Sequence, residues 1–502
     1  MLHRIRRRWP ALFTRVLVFT IVLLLAGLLI GSRADAQAAA GATPTAATPV
    51  AATPTAATPT AAAPAWQRAV DSLITAEQER TRTPGLQVAI ALDGKVIYSR
   101  GFGVADIETG RPVTPQTLFR VGSVTKMVSA AAVTELAVEG KLDLNAPISR
   151  YVTELEGRKV GAVTTHQLLT HTAGWLDNAV PYGRMGEGAL GEVMREVNDT
   201  LFFTEPGRVL SYSNPGFSMV GYVAERAGGA RFGALVDERI LRKFGMPFAS
   251  FRPMEVMTRD FSQGHVGQTG NAGVIVRPFT ENTAQWAAGF LMASAQDMSR
   301  FTIALMDGGM LDGHRVLSAE TVRRMTTGDP VIPGDTSGAR YAYGLMVGTQ
   351  ANTRVWQHGG AINGFDANVT MFPDKRLSVV VLDNRGGAPM SGITMLVARE
   401  VAGLILPTPA EPSAPRAPTA AERAALVGTY VQGRTRVELA LQGDTLIFQQ
   451  NMLRVAVQMV GADRISIAPP VGPKITMILV RDAQGRVAYL HQGLRAIAKQ
   501  RE

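Results

Sequence analysis

Two proline- and alanine-rich stretches cut this 502-residue chain into pieces before any helix or strand is read. The first, ATPTAATPVAATPTAATPTAAAPA over 42–65, has almost no surface worth burying, and its prolines lack a backbone donor. The second, LPTPAEPSAPRAPTAAE over 406–422, has the same character. The divisions expected are a leader over 1–36, a disordered tether over 37–64, a large domain over 65–408, a linker over 409–422 and a small unit over 423–502.

The leader has the anatomy of an export signal. MLHRIRRRWPALFTR is basic, Val16 to Ile30 is apolar without a charge, and Ala34-Asp35-Ala36 is a small-x-small cleavage pattern. The apolar run falls short of the ~20 residues that span a bilayer, which favours a cleaved secretory signal over an N-terminal anchor. On either reading the folded part is expected outside the cytoplasm, periplasmic, extracellular or tethered to the cell surface, and only the N-terminus meets the membrane, transiently or permanently. The net charge of +10 is partly the leader's, whose six arginines and one aspartate give +5. The remainder is too diffuse for a nucleic-acid footprint. With no cysteine, disulfides, thiolate metal sites and cysteine nucleophiles are excluded. No cofactor is expected. His166 and His171 in THQLLTHTAG have no third ligand at useful spacing, so no metal is expected, and both read as framework.

In the large domain LQVAIALDGKVIYSRGFGVAD alternates about Asp93-Gly94 and predicts a hairpin, as does ANVTMFPDKRLSVVVLDN near the other end. Helical patches lie between. The expectation is an α+β fold with one antiparallel sheet, closed by N- and C-terminal strands, flanked by helices and carrying a helical subdomain. The C-terminal unit alternates throughout and predicts a small all-β sandwich or barrel without a catalytic constellation.

SVTKMVSAAAVTELAVEG is Ala-rich, apolar at helical spacing and stopped by Gly140. If the helix begins near Ser123, then Ser123 and Lys126 share a face. A serine hydroxyl attacks only when a base takes its proton. Lysine can serve if burial and a helix N-terminus disfavour its ammonium, whereas arginine stays protonated. Only 8 of the 51 basic residues are lysines, so lysine here is informative. Two further stretches join the pair. Tyr212-Ser213-Asn214 offers a hydroxyl to relay a proton and an amide to orient Lys126 or a substrate. His358-Gly359-Gly360 precedes the second hairpin and lets a substrate lie against a strand edge, where a backbone N–H can face an oxyanion.

In order and spacing SVTK, YSN and HGG, with TTHQLLTHTAGW and GFLMASAQDMSRFTIALM between them, resemble the serine beta-lactamase and penicillin-binding-protein superfamily. More narrowly they resemble its beta-lactamase-related serine hydrolases, with class C beta-lactamases, D-alanyl-D-alanine carboxypeptidases and esterases. The likeness covers about 66–400. It implies a beta-lactamase/transpeptidase-like fold, acylation of Ser123, Lys126 as a base, Tyr212 as proton shuttle and Asn214 as a hydrogen-bonding partner. It also implies an oxyanion hole from the N–H groups of Ser123 and Ala361. Many penicillin-processing members carry Lys-Thr-Gly where this chain has His358-Gly359-Gly360, so a substrate carboxylate loses a cation and a hydroxyl. The expectation is an exported serine hydrolase of small esters, amides or D-amino acid peptides. A beta-lactamase or D-alanyl-D-alanine carboxypeptidase is the alternative within the class, and a non-catalytic sensor or binding module the alternative outside it.

Overall fold

Two hairpins far apart in sequence meet in one sheet. In the computed structural model, which describes residues 63–177, 184–267, 273–333, 338–350, 352–387, 391–403, 414–470 and 474–500, the chain starts with helix α1 (Ala65–Thr81). Strands β1 (Gly85–Leu92) and β2 (Lys95–Asp106) follow. They turn at Asp93 and Gly94, whose φ angles of 49° and 77° suit a tight hairpin turn. A short β3 (Arg111–Pro112) completes this edge. The helical layer includes α2 (Thr125–Val138), α3 (Asn214–Gly228) and α4 (Ala295–Met306). Five more strands return: β4 (Arg340–Tyr341), β5 (Met346–Gln350), β6 (Thr353–Ile362), β7 (Phe365–Phe372) and β8 (Leu377–Asp383). Helix α5 (Ser391–Ala402) closes the domain. The sheet order is β4-β5-β6-β7-β8-β1-β2-β3, so the first strand and the last pair antiparallel at its middle, from Leu86 opposite Asp383 to Leu92 opposite Leu377.

Strands β1 and β8 are buried almost throughout, Gln87 and Ser378 included, because both faces are covered. Val88, Ile90, Val379 and Val381 pack with Val70 and Ile74 of α1 and with Ile393 and Val397 of α5. Their alternates Ala89, Ala91, Val380 and Leu382 join Phe301, Ala304 and Leu305 of α4 in the main core. The fold is the expected α+β arrangement of helices on an antiparallel sheet.

The C-terminal unit is a closed barrel, which decides between the two expected forms. A short helix, Ala420–Leu426, leads into eight antiparallel strands between Gly428 and Lys499, and the first closes on the last through Tyr430 and Lys499. Tyr430, Val437, Leu446, Phe448, Ile465 and Leu490 are fully buried inside. At eight strands a barrel is just wide enough for side chains to fill. The leader, nearly all of the tether and residues 404–413 lie outside the described residues. Among the described residues no helix is long and apolar enough to cross a membrane.

Candidate active site

The nucleophile turn comes first. Gly122 has φ +51°, and a Cβ there would stand 2.7 Å from the backbone nitrogen of Ala361. Only glycine fits this left-handed, crowded position. Ser123 follows in a single 3₁₀ turn, and α2 begins at Thr125. The Thr125 hydroxyl donates to the Gly122 carbonyl at 2.6 Å and accepts from the Leu291 N–H at 3.1 Å, which pins the turn to the neighbouring segment.

One turn on, Lys126 is fully buried. Its Nζ lies 3.2 Å from Ser123 Oγ and 2.8 Å from Asn214 Oδ1, and it also meets the Ala288 carbonyl oxygen. Burial holds its pKa well below the ordinary lysine range; Asp177 works against that shift and Arg495 with it. A neutral amine has two N–H bonds and one lone pair. Asn214 Oδ1 and the Ala288 carbonyl can only accept, so they take the two N–H bonds. The lone pair is then left facing the Ser123 hydroxyl.

Asn214 is the first residue of α3, placed by Ser213, whose hydroxyl caps the helix by accepting from the Gly216 N–H at 3.2 Å. Pro215 at the helix start costs no hydrogen bond there. The Asn214 backbone N–H and Nδ2 both donate to Asp177 Oδ1, at 2.9 and 3.0 Å. Tyr212 is buried with its side chain beside Ser123, and presents its ring centroid 4.7 Å from Lys126 Nζ. Burial pushes its pKa upward, so the phenol stays protonated.

Strand β6 passes directly against the nucleophile turn. A Cβ on Gly360 would fall 2.1 Å from the Val121 carbonyl oxygen and 3.0 Å from the Ser123 nitrogen. No side chain fits, and the bare strand brings Ala361 beside Ser123. Ser123, Asn214, Ala288, Gly289, Phe290 and Ala361 line a cleft of about 190 Å³ together with Thr280, Gln285, Ile362 and Asn363.

The structure thus brings Ser123, Lys126, Tyr212, Asn214, Gly360 and Ala361 together. His358 and Gly359 do not line that cleft, although the His358 ring centroid lies 6.5 Å from that of Tyr212. His358 is 3 % exposed, its Nε2 2.9 Å from the Tyr341 hydroxyl and its Nδ1 2.6 Å from the Gly359 carbonyl oxygen. Burial and the neighbouring Lys126 lower its pKa to about 3, so it is neutral near pH 7. The Gly359 α-carbon faces Asn368 across the strand pair. His171 and His166 have separate partners: the buried His171 accepts the Ser213 N–H at Nδ1 (3.1 Å) and stacks on Tyr212, whereas His166 Nδ1 is 2.8 Å from the Tyr343 hydroxyl.

Two charged residues of the site were not foreseen. Asp177 follows the TTHQLLTHTAGW stretch by two residues, a position without a motif of its own. Arg495 comes from the barrel and pairs with Asp177 Oδ2, with Nε at 2.8 Å. The barrel also holds the segment leading into Tyr212: the Tyr212 N–H donates to the Leu494 carbonyl at 2.8 Å and the Ala496 N–H to Ser211 Oγ at 3.2 Å.

Known proteins are similar to this chain in sequence and fold. The family model described as Beta-lactamase matches residues 70–403. A D-aminopeptidase of Gluconobacter oxydans (strain 621H) is 28 % identical over 378 residues, 74 % of this chain and 68 % of the relative. Esterase EstB of Burkholderia gladioli is 28 % identical over 373 residues, 66 % of this chain and 93 % of the relative. A crystal structure of SurE superposes with a TM-score of 0.72 at 28 % identity, covering 87 % of this chain and 99 % of that one, and SurE with D-Leu gives 0.70 at 26 %, covering 87 % and 100 %. The match over two thirds of the length, through the nucleophile turn, α3 and β6 alike, means that this chain belongs to the beta-lactamase family and is a serine hydrolase.

Proposed function

We propose that the protein is an exported hydrolase that forms an acyl-enzyme on Ser123 and acts on small esters, or on amides and peptides of D-amino acids. The observation that carries the mechanism is the environment of Lys126 Nζ, where two carbonyl acceptors occupy both N–H bonds and leave the lone pair to Ser123. Lys126 takes the hydroxyl proton as Ser123 Oγ attacks the carbonyl carbon. The backbone N–H groups of Ser123 and Ala361 receive the developing oxyanion. Tyr212, protonated and beside Ser123, relays the proton to the leaving group, and water releases the acyl group by the reverse sequence. Export rests on the leader's sequence.

The substrate class follows from what the cleft lacks. His358 is neutral and tied to Tyr341, and Gly359 has no hydroxyl, so this strand offers no side-chain cation to a carboxylate. A hydrogen bond to a charged group contributes roughly 1.5–3 kcal/mol. Its absence disfavours beta-lactams by about ten- to a hundredfold in kcat/KM. The D-aminopeptidase and esterase relatives, and the structural likeness to a SurE structure holding D-Leu, fit this choice, while a relative named beta-lactamase matches nearly as well and makes the cephalosporin the necessary comparison.

The test compares kcat/KM for nitrophenyl butyrate, D-alanyl nitroanilide and a chromogenic cephalosporin, and maps a fluorophosphonate adduct by mass spectrometry. Ester or D-amino acyl turnover above that of the cephalosporin, with the adduct on Ser123, is the expected result. Cephalosporin turnover near the diffusional range, or an adduct elsewhere, refutes the proposal.

A further inference from the structure

We infer that the Arg495–Asp177 ion pair is a positioning element of the site: it fixes which way round the Asn214 amide stands, and through it the barrel takes part in acyl transfer. The inference rests on the assignment of Ser123 as nucleophile and Lys126 as base.

The argument starts from the two ends of an amide. Asp177 Oδ1 takes the Asn214 backbone N–H and Nδ2 together, at 2.9 and 3.0 Å. A carboxylate oxygen accepts only, so the NH₂ end must face it and Oδ1 must face Lys126, 2.8 Å away. Turned over, the amide would donate to the lone pair of Lys126 and compete with the Ser123 hydroxyl for it. The orientation of one amide therefore decides whether Lys126 is a base.

Asp177 can do this only while it is held and charged. Its side chain is 5 % exposed, and a carboxylate so deep needs a partner. Arg495 supplies two N–H groups, both to Oδ2, which leaves Oδ1 to Asn214. The planar guanidinium suits that fork and also lies over the Tyr212 ring, 5.1 Å from its centroid. Arg495 is set by its own hairpin, which Leu494 and Ala496 tie to Tyr212 and Ser211 on either side.

The groups around Lys126 give a signed readout. Asp177 favours its ammonium and Arg495 opposes it. His171 and His358 are kept neutral by burial, and burial holds the phenols of Tyr212 and Tyr341 protonated. The two halves of the ion pair thus act on Lys126 with opposite sign, and breaking either half shifts it in a known direction.

The test uses the full chain with Arg495→Met, Arg495→Lys, Asp177→Asn and the double variant Asp177→Asn/Arg495→Met. It measures the pH dependence of kcat and KM on an uncharged nitrophenyl ester, the fluorophosphonate labelling rate of Ser123, and thermal unfolding. Arg495→Met is expected to lower kcat about ten- to a hundredfold at little change in KM. It should move the acid limb of the profile upward, because Asp177 is then unopposed. Asp177→Asn should move the limb downward, the double variant should return it toward the wild-type position, and Arg495→Lys should recover part of kcat. If Arg495→Met does not unfold cooperatively, the Arg495→Lys and double variants decide. Superimposable acid limbs at wild-type kcat, or a loss confined to substrates that carry a carboxylate, overturn the inference. A wild-type Ser123 that takes no label overturns the hydrolase assignment and this inference together, whereas a labelled wild type with unaffected variants overturns this inference alone.

Discussion

At the scale of single residues the site depends on groups that are buried and neutral. Ser123→Ala removes the nucleophile and no packing of consequence, so kcat should fall about 10³-fold or more while the unfolding transition stays in place. Stopped assays and circular dichroism on the same sample check both halves. Lys126→Arg should be as damaging as loss of the side chain: arginine keeps its proton, so no lone pair faces Ser123, and the fully buried site must hold a permanent charge. Retention of most of kcat in Lys126→Arg would reduce Lys126 to an electrostatic partner. His358 makes a prediction about stability. Its pKa falls from 6.5 in the unfolded chain to about 3 in the fold. Between those values the unfolded state binds the extra proton, so stability is full above pH 6.5 and declines as pH falls toward 3, at up to ~1.4 kcal/mol per unit. Replacing His358 by glutamine, which does not titrate, should flatten that part of the curve in urea titrations at stepped pH. The pair Ser123–Lys126 was legible in the sequence because both members lie within one helical turn. The neutrality of His358 at pH 7 was legible from its ordinary pKa. Its burial against Tyr341 was not, since the alternation around HGG does not say which face of β6 is covered.

At the scale of elements, what matters is how closely β6 runs past the nucleophile turn. Where these two segments cross, Gly122 and Gly360 let backbone meet backbone without room for a Cβ. Gly360→Ala should push β6 outward, moving the Ala361 N–H away from the oxyanion while leaving Lys126 and Ser123 in contact. The expected result is a fall in kcat of about a hundredfold, with KM for a small ester little changed and a stability loss of roughly 1–3 kcal/mol. Normal kcat in the Gly360→Ala enzyme would show that the oxyanion donor lies elsewhere. The hairpins were legible as elements because Asp93-Gly94 and the alternating runs are local signals. That strands from both ends of the domain share one sheet was expected from their placement; that β1 and β8 pair at its middle was not legible, since no local signal reports register between segments so far apart. The capped start of α3 was only partly legible: YSN marked the right residues, but the helix begins at Asn214 itself and carries the asparagine into the site.

At the scale of the whole molecule the barrel ceases to be an appendage. Its sequence carries no catalytic constellation, and none is present among its described residues; what it contributes is a hairpin that reaches Tyr212, Ser211 and Asp177. Arg495 and Asp177 are 318 residues apart, and no pattern of period two or 3.6 reports such a meeting. Further contacts bind the barrel to the segment that precedes α3. His491 Nε2 donates to the Leu210 carbonyl at 3.0 Å, Gln432 Nε2 to Ser211 Oγ at 3.1 Å, and the Thr204 and Tyr489 hydroxyls lie 2.7 Å apart. Four of these partners, Leu210, Ser211, Tyr212 and Thr204, lie in a stretch without a helix or sheet ladder of its own; the Tyr212 N–H and the Leu210 carbonyl are satisfied by the barrel, while the Ser211 N–H donates to the His171 carbonyl. A chain ending at Gly403 would leave the Tyr212 N–H and the Leu210 carbonyl without these partners and Asp177 without its cation. Buried polar groups left so cost roughly 1–3 kcal/mol each. The truncated chain should therefore unfold at lower denaturant concentration than the full chain and lose ester turnover even where it remains folded. In the full chain, hydrogen exchange at Tyr212 should slow to the same extent as that of the barrel strand Arg495–Lys499, because opening one opens the other. Independent protection of the two, or a truncated chain with full kcat, would show that the barrel merely sits beside the active site.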